Sequence, residues 1–188
     1  MISILKHFSS FCYVVIIYLV ASFLRLELFL IKYLFKNKFI GIVQIIYLKL
    51  YKIKFGKKLY FNEVPFILRP GNIIISDNCS FGEKTRIYNH TSISIGKNFL
   101  GAPGLTILTG GHDPETLEGI NKPIVIGENC WCGYNVTILP GVTIGDNVSI
   151  GSCSIVTRSI ESNSIAVGSP ARVVRKFKAN RRHKKTSI

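Results

Sequence analysis

Small apolar residues recur at intervals of six along much of the chain, with Gly, Asn and Asp between them. The clearest run begins at Ile126 and divides into six consecutive units: IGENCW, CGYNVT, ILPGVT, IGDNVS, IGSCSI and VTRSIE. A fixed six-residue period is typical of a parallel β-helix, in which each unit forms one short strand and one turn. Three units then close a triangular coil, and the first residue of each unit points inward. We therefore expect Ile126 to stack on Ile144, Cys132 on Ile150, and Ile138 on Val156.

The period also runs upstream, with one interruption. Ile75, Phe81 and Ile87 mark one coil, and after a slip of two residues Ile95, Gly101 and Ile107 mark another. Residues 113–124 do not fit the period, which restarts at Ile126. This break predicts a loop that leaves the helix directly after His112, and loops on a rigid scaffold are frequent sites of function.

The N-terminal region has a different pattern. Residues 11–24 are almost wholly apolar, and an extension to Ile31 is long enough to span a bilayer, although Arg25 and Glu27 interrupt it. A cleaved signal peptide, helices lying in the membrane interface, and a packed helical subdomain are the alternatives. We divide the chain into a hydrophobic, basic helical region that associates with a membrane (1–58), a β-helix domain (59–171) and a basic tail (172–188).

Charge is distributed unevenly among these three parts. The net charge of the whole chain is +14, with +9 in residues 1–58, −3 in residues 59–171 and +8 in residues 172–188. Basic ends suit anionic lipid or a phosphorylated ligand. Nucleic acid is not an expected partner, because no zinc-finger, RNP-like or basic-zipper pattern is present. The five cysteines match neither a zinc site nor a disulfide framework, so we expect no metal.

Three segments together carry a family resemblance. They are IGKNFLGAPGLTILTGGHD (95–113), KPIVIGENCWCGYNVTILPGVTIGDNVSIGSCSIVTRSI (122–160) and NSIAVGSPARVVRK (163–176). They resemble the hexapeptide-repeat O-acetyltransferases, which include galactoside and maltose acetyltransferases and enzymes that acetylate capsular, O-antigen and exopolysaccharide sugars. The resemblance implies an all-β fold, a left-handed parallel β-helix, here preceded by an N-terminal hydrophobic helical segment.

The resemblance also implies a reaction and its residues. His112 matches the family's general base, which removes a proton from a sugar hydroxyl as that hydroxyl attacks acetyl-coenzyme A. The acetyl-coenzyme A donor, for which no metal is required, is expected in a groove between subunits of a homotrimer. Asn89 and Asp113 are candidates for the acceptor side, although Asp113 either orients the base or stays in solvent. The residues that match the family's coenzyme A contacts are Trp131, Gly133, Ser152, Thr157, Arg158 and Arg175.

These residues are compatible with several functions. The expected activity is O-acetylation of a sugar or surface polysaccharide at the cytoplasmic face of a bacterial membrane, with a soluble cytoplasmic protein as the alternative location. The other candidates are an N-acyltransferase on an amino sugar nucleotide and a catalytically silent β-helix scaffold. A γ-type carbonic anhydrase is excluded, because it needs three histidine ligands and two of the four histidines, His7 and His183, lie outside the repeats.

Overall fold

The computed structural model describes residues 38–69 and 71–177, and their dominant feature is a parallel β-helix. Three parallel sheets run along it, and each coil contributes one short strand to every sheet in turn. We name the turns by the sheets they join. Corner A leads from the first sheet to the second, corner B from the second to the third, and corner C from the third sheet to the first sheet of the next coil.

The strands are two to five residues long and are numbered in chain order. The first sheet contains β1 (Lys54–Phe55), β4 (Ile73–Ile75), β7 (Ile93–Ile95), β12 (Ile124–Ile126) and β15 (Thr143–Ile144). The second contains β2 (Tyr60–Phe61), β5 (Ser80–Phe81), β8 (Leu100–Gly101), β13 (Trp131–Cys132), β16 (Ser149–Ile150), β18 (Ser164–Val167) and β19 (Arg172–Lys176). The third contains β3 (Phe66–Leu68), β6 (Arg86–Tyr88), β9 (Thr106–Leu108), β14 (Thr137–Ile138) and β17 (Ile155–Val156). A separate hairpin pairs β10 (Gly110–His112) with β11 (Gly119–Asn121).

The predicted register of the core is confirmed. Ile126 pairs with Ile144, Cys132 with Ile150, and Ile138 with Val156. The upstream coils agree as well, since Ile75 pairs with Ile95, Phe81 with Gly101 and Ile87 with Ile107. Alternate residues of a strand face opposite sides, so these residues point into the interior, where corner residues such as Val136, Val142 and Val148 complete the core. The side chains in these columns are almost completely buried.

The aromatic residues of the second sheet fill the space that a glycine leaves in its column. The rings of Phe61 and Phe81 are stacked with centroids 4.6 Å apart, and Phe99 packs on Phe81 at 5.2 Å. A Cβ at Gly101 would lie 3.1 Å from the Phe99 ring and 2.8 Å from Leu105. The glycine therefore makes room for the Phe99 ring, and the column stays filled.

Corner A is held by a ladder of asparagine side chains. In each step the amide nitrogen of one coil donates to the amide oxygen of the next, over 2.7, 2.8, 3.2 and 3.0 Å. All five residues have φ between 57° and 59°, a left-handed conformation that asparagine tolerates better than most residues. The ladder residues are Asn78, Asn98, Asn129, Asn147 and Asn163.

Helix α1 (Lys38–Leu50) precedes the first coil. Val43 to Ile188 forms a compact unit, to which the second part of this helix belongs. Within that unit, Leu48 is buried and the Gln44 side chain donates a 2.6 Å hydrogen bond to the Phe61 carbonyl. Among the described residues, no helix combines the length and apolarity that crossing a membrane requires. The apolar segment 11–31, for which a span is predicted, lies outside the described residues.

Strands that pair with the sheets of the β-helix lie beyond both predicted boundaries of its domain. Lys54–Phe55 already pairs with the first sheet, inside the region 1–58 that the sequence assigns to helices. This strand is hard to recognise in the sequence, because its lysine and aromatic residue continue the basic, apolar composition of the preceding segment. At the other end, Arg172–Lys176 folds back antiparallel on Ser164–Val167 and ends the second sheet.

Candidate active site

His112 lies at the end of a hairpin that projects from corner C. Residues 110–112 leave the third sheet after Leu108, and the chain returns through residues 119–121 before the first sheet resumes. His112 pairs with Gly119 across this hairpin, and its ring is exposed. The chain therefore leaves the β-helix at Gly110, three residues before Asp113, where the sequence predicted the loop to begin. His112 lies on the outgoing strand of the hairpin.

Asp113 stabilises the turn that follows the histidine. Its Oδ1 accepts hydrogen bonds from the backbone N–H groups of Thr116 (3.0 Å) and Glu115 (2.9 Å). These bonds favour the charged form and hold the pKa of the Asp113 carboxyl below its usual range. The Asp113 carboxylate thus caps the loop that follows His112.

A buried threonine hydroxyl lies at the base of the hairpin. Thr109 is fully buried, and its Oγ1 accepts hydrogen bonds from the backbone N–H groups of His90 (2.6 Å) and Thr91 (3.2 Å). Above it, a Cβ at Gly110 would lie 2.6 Å from Cγ of His90. The strand that carries His112 thus runs in direct contact with the His90 ring, and only a glycine permits that approach.

Asn89 points into the helix and not toward the hairpin. It is 3% exposed, and its Nδ2 donates a 2.6 Å hydrogen bond to the Gly71 carbonyl in the preceding coil. The Thr109 hydroxyl is 3.4 Å from its Oδ1. The inward amide thus provides a hydrogen-bond partner for a backbone carbonyl at corner C.

Trp131 lies on the outer surface of the second sheet. Its side chain is 43% exposed, beside Leu100 in one neighbouring coil and Ser149 in the other. Gly133 and Ser152 follow at corner B, one coil apart. A Cβ at Gly133 would lie 2.7 Å from the Ser152 nitrogen, so the two turns are closely stacked.

The basic candidates lie in the last coils. Thr157 and Arg158 are exposed at corner C, directly after Ile155–Val156. Arg175 is exposed on the final strand, where it pairs with Ile165 of the second sheet. Guanidinium groups in such positions can bind phosphate with two parallel hydrogen bonds.

The predicted site residues therefore fall into two groups. One group lies at corner C and comprises Asn89, His112, Asp113, Thr157 and Arg158. The other lies on the second sheet and at corner B and comprises Trp131, Gly133, Ser152 and Arg175. In a triangular coil, corner C is the corner opposite the second sheet, so the structure does not bring the two groups together within one chain.

Sequence reasoning missed one contact at this corner. The Arg69 guanidinium lies 3.1 Å from Nδ1 of His90, across the first and second coils. The sequence separation of Arg69 and His90, about one coil, is the signal that could have indicated this contact. It was hidden because the coil that contains Arg69 lacks the regular apolar period.

The fold and site define a parallel β-helix protein with an exposed histidine on a looped-out hairpin. Residues 123–158 match the family model for the bacterial transferase hexapeptide (six repeats). The chain is 40% identical to the galactoside O-acetyltransferase of Escherichia coli K12 over 117 residues, which is 60% of this chain and 58% of that protein.

Two further comparisons extend this similarity. A putative colanic acid biosynthesis acetyltransferase of Escherichia coli K12 is 35% identical over 130 residues, covering 68% of this chain and 71% of that protein. A solved galactoside acetyltransferase in complex with coenzyme A matches with a TM-score of 0.63 and 34% identity, over 66% of this chain and 65% of that one. The chain belongs to the hexapeptide-repeat acetyltransferase family, and its β-helix is the left-handed one of that family.

Proposed function

We propose that this protein transfers the acetyl group of acetyl-coenzyme A to a hydroxyl of a sugar or surface polysaccharide, with His112 as the general base. The observation that carries this proposal is the exposed ring of His112 at the end of the Gly110–His112 strand, where the loop interrupts the β-helix. The galactoside O-acetyltransferase among the relatives acts on a hydroxyl by name, which favours an oxygen over an amine acceptor. Accordingly, we do not propose the N-acyltransferase or the silent scaffold.

The chemistry needs one base and no covalent intermediate on the protein. A ring nitrogen of His112 takes the proton of the acceptor hydroxyl as its oxygen bonds to the thioester carbonyl carbon. The tetrahedral adduct then collapses, the carbon–sulfur bond breaks, and the imidazolium returns the proton to the leaving thiolate. The products are the acetyl ester and free coenzyme A, and the histidine is regenerated. General base catalysis of this kind typically contributes about 10²–10⁴-fold to the rate.

The active site is proposed to form between subunits of a homotrimer. The support is that the predicted site residues form two separate groups within one chain. Corner C of one subunit has to meet the second sheet and corner B of another subunit to bring the two groups together. Self-association in a closed ring of three is a standard outcome for such a heterologous interface. Under this arrangement Trp131 and Gly133 line the pantetheine end of the donor from one subunit, while His112 comes from its neighbour.

The remaining donor contacts are proposed along the last coils. Ser152 offers a compact turn at which the donor chain passes close to the backbone. Thr157, Arg158 and Arg175 are exposed, and the two arginines suit the phosphates of coenzyme A. Asn89 and Asp113 are assigned a supporting role, because their side-chain hydrogen bonds hold corner C and the loop in shape.

Membrane association is proposed for the N-terminal region. The support is its apolar sequence, its net charge of +9 in residues 1–58, and the outward Ile45, Ile46 and Leu50 of α1 beside the following lysines. Each lysine near an anionic surface contributes about 1 kcal/mol, screened by salt. A location at the cytoplasmic face suits a nascent or lipid-linked glycan. If the full-length protein stays in the supernatant at low salt without detergent, this part fails.

The catalytic proposal is tested with two variants from the same coil. His112→Ala is expected to reduce acetyl transfer by about 10²-fold or more while coenzyme A still binds, as loss of a general base predicts. Lys97→Ala, an exposed position at corner A, is the matched control and keeps its activity. Turnover and calorimetric binding of coenzyme A are measured for both. Wild-type turnover in His112→Ala would remove the histidine from the mechanism.

The shared site is tested by complementation. His112→Ala and Trp131→Ala chains are unfolded, mixed in equal amounts and refolded together. If each site takes its histidine from one subunit and its tryptophan from the next, about a quarter of the sites in the mixture regain both residues. Each variant refolded alone stays inactive. A mixture no more active than its components, or an active monomer in sedimentation, contradicts the proposal.

A further inference from the structure

Arg69 and His90 form a contact at the surface of corner C. Both side chains are exposed, and Nη1 of Arg69 lies 3.1 Å from Nδ1 of His90. Arginine is only a donor, so Nδ1 of His90 is the acceptor and the ring carries its proton on Nε2. The pair therefore presents several N–H donors outward, from the rest of the guanidinium and from the imidazole Nε2.

No acid within the described part of the chain neutralises this pair. The one ion pair among residues 38–69 and 71–177 joins Lys176 to Glu161, at the far end of the helix. The first two coils carry three carboxylates, Glu63, Asp77 and Glu83, and all three lie at other corners. Those of Glu63 and Asp77 accept hydrogen bonds from the backbone there. A cluster of donors on one guanidinium and one ring, without an anionic partner in the described chain, is suited to a ligand that brings a negative charge.

The pair lies on the side of His112 that is away from the proposed donor contacts. Successive coils are about 5 Å apart, as strands in a sheet are, so His90 is one coil and Arg69 two coils before the hairpin that carries the base. Thr157 and Arg158, the proposed phosphate contacts of the donor, lie at the same corner in the opposite direction along the axis. A molecule that reaches His112 from the side away from the donor passes Arg69 and His90.

An apolar surface adjoins the pair on the third sheet. Leu68 and Tyr88 are paired across the first two coils and immediately precede Arg69 and Asn89 in the chain. Leu68 is 42% exposed, and the ring of Tyr88 lies 5.5 Å from the half-exposed ring of Phe66. Ligand sites commonly combine an apolar or aromatic wall with a few convergent polar groups, and sugar rings pack on such walls by their apolar faces.

We propose that Arg69 and His90 select an acceptor that carries an anionic group, a carboxylate or a phosphate, within about a sugar unit of the acetylated hydroxyl. This inference rests on the proposed acetyl transfer at His112. Arg69 supplies two parallel N–H donors to the anion, His90 holds the guanidinium in place and adds its Nε2–H, and Tyr88 lies against the sugar ring. The acceptor is thus an acidic sugar of a polysaccharide or a phosphorylated saccharide, and not a neutral one.

The test compares acceptors that differ only in charge. Methyl β-glucuronide against methyl β-glucoside probes a carboxylate, and galactose 1-phosphate against methyl galactoside probes a phosphate. Binding to the full-length protein with coenzyme A present is measured by calorimetry, and kcat/KM for acetyl transfer is measured in parallel. We expect one of the anionic acceptors to be preferred over its neutral counterpart by about tenfold or more in both readouts. The pair of probes that shows the preference identifies the source of the charge.

Three variants assign the preference to the pair. Arg69→Gln is expected to bring the ratio of anionic to neutral acceptor, in binding and in kcat/KM, close to one. Arg69→Lys keeps the positive charge but lacks the planar guanidinium, and it gives an intermediate ratio. Lys97→Gln removes one positive charge at corner A and keeps the wild-type ratio, so it controls for long-range attraction. A purely structural role of Arg69 would lower both rates equally and leave the ratio unchanged, which overturns the inference.

The outcomes separate this inference from the proposed function. Equal binding of anionic and neutral acceptors, or a preference that survives in Arg69→Gln, overturns the inference even if acetyl transfer depends on His112. Acetyl transfer that is absent for every acceptor, or unchanged in His112→Ala, overturns the proposed function. The binding ratios do not require turnover, so they decide the role of Arg69 in that case as well.

Discussion

The asparagine ladder of corner A makes a quantitative prediction about stability. Asn129 is at its centre: its Oδ1 accepts a 2.8 Å hydrogen bond from Asn98, and its Nδ2 donates a 3.2 Å hydrogen bond to Asn147. It also has a φ of 57°. Asn129→Gly removes both hydrogen bonds while leaving a residue that accepts this backbone conformation, so it isolates the side-chain contribution.

The magnitude follows from the two bonds and their exposure. A neutral hydrogen bond contributes about 0.5–1.5 kcal/mol net, and the one to Asn98 lies toward solvent, so water partly replaces it. We expect Asn129→Gly to lower the free energy of unfolding by about 1–2 kcal/mol. Asn129→Ala adds a left-handed alanine, which costs about 1 kcal/mol more.

A matched control lies in the same coil at corner B. Asn135 has a φ of 53° and is exposed, and its side chain makes no hydrogen bond to any described residue. Asn135→Gly should therefore change the stability by less than about 0.5 kcal/mol, because only the backbone preference is involved. Asn135→Ala should show the same extra cost of about 1 kcal/mol as alanine at position 129.

The assay is equilibrium unfolding in guanidinium chloride at one fixed protein concentration, followed by far-UV circular dichroism. A fixed concentration is needed because the proposed homotrimer would make the apparent stability depend on protein concentration. Refolding from denaturant must reproduce the unfolding curve. If the two glycine variants differ by less than about 0.3 kcal/mol, the ladder contributes nothing measurable and the reasoning is refuted.

Two further predictions concern the hairpin and the cysteines. Gly110→Ala places a methyl group 2.6 Å from Cγ of His90, so it should displace the strand that carries His112 and reduce kcat by about tenfold or more. The control is Gly111→Ala, whose Cβ would have its nearest neighbour at 3.9 Å and whose kcat should stay within about threefold of the wild-type value. Equal rates for the two variants in an acetyl transfer assay would contradict the contact. Iodoacetamide at pH 8 should label the exposed Cys153 and leave Cys130 unmodified. Burial raises the pKa of the Cys130 thiol to about 11, so at pH 8 only about one molecule in a thousand carries the reactive thiolate at Cys130. Mass spectrometry of the peptides measures both sites, denatured protein serves as the control, and comparable labelling of the two cysteines in the native protein would be inconsistent with the buried position.

Much of the candidate site was visible in the sequence, but its arrangement was not. The break in the period predicted a loop that leaves the helix directly after His112, and the structure begins that excursion at Gly110, so His112 itself lies on the hairpin. Asn89 was expected to face the acceptor, yet its amide is turned inward to Gly71. The six-residue period slips between Ile87 and Ile95, so it does not indicate which way the side chain of this corner residue points.

The sequence by itself determined the β-helix and the register of its columns. Ile126 over Ile144 follows from a period of three units, because strand alternation and turn length are local properties that repeat identically. Only the tertiary structure decided which distant corners meet. Asn98 bonds to Asn129 across 31 residues, since the loop is inserted in that coil, while Asn129 bonds to Asn147 across 18. Arg69 meets His90 in the same way, from a coil whose residues follow no visible period. Such contacts depend on which coils are neighbours, and every insertion or slip along the chain changes the number of residues between neighbouring corners.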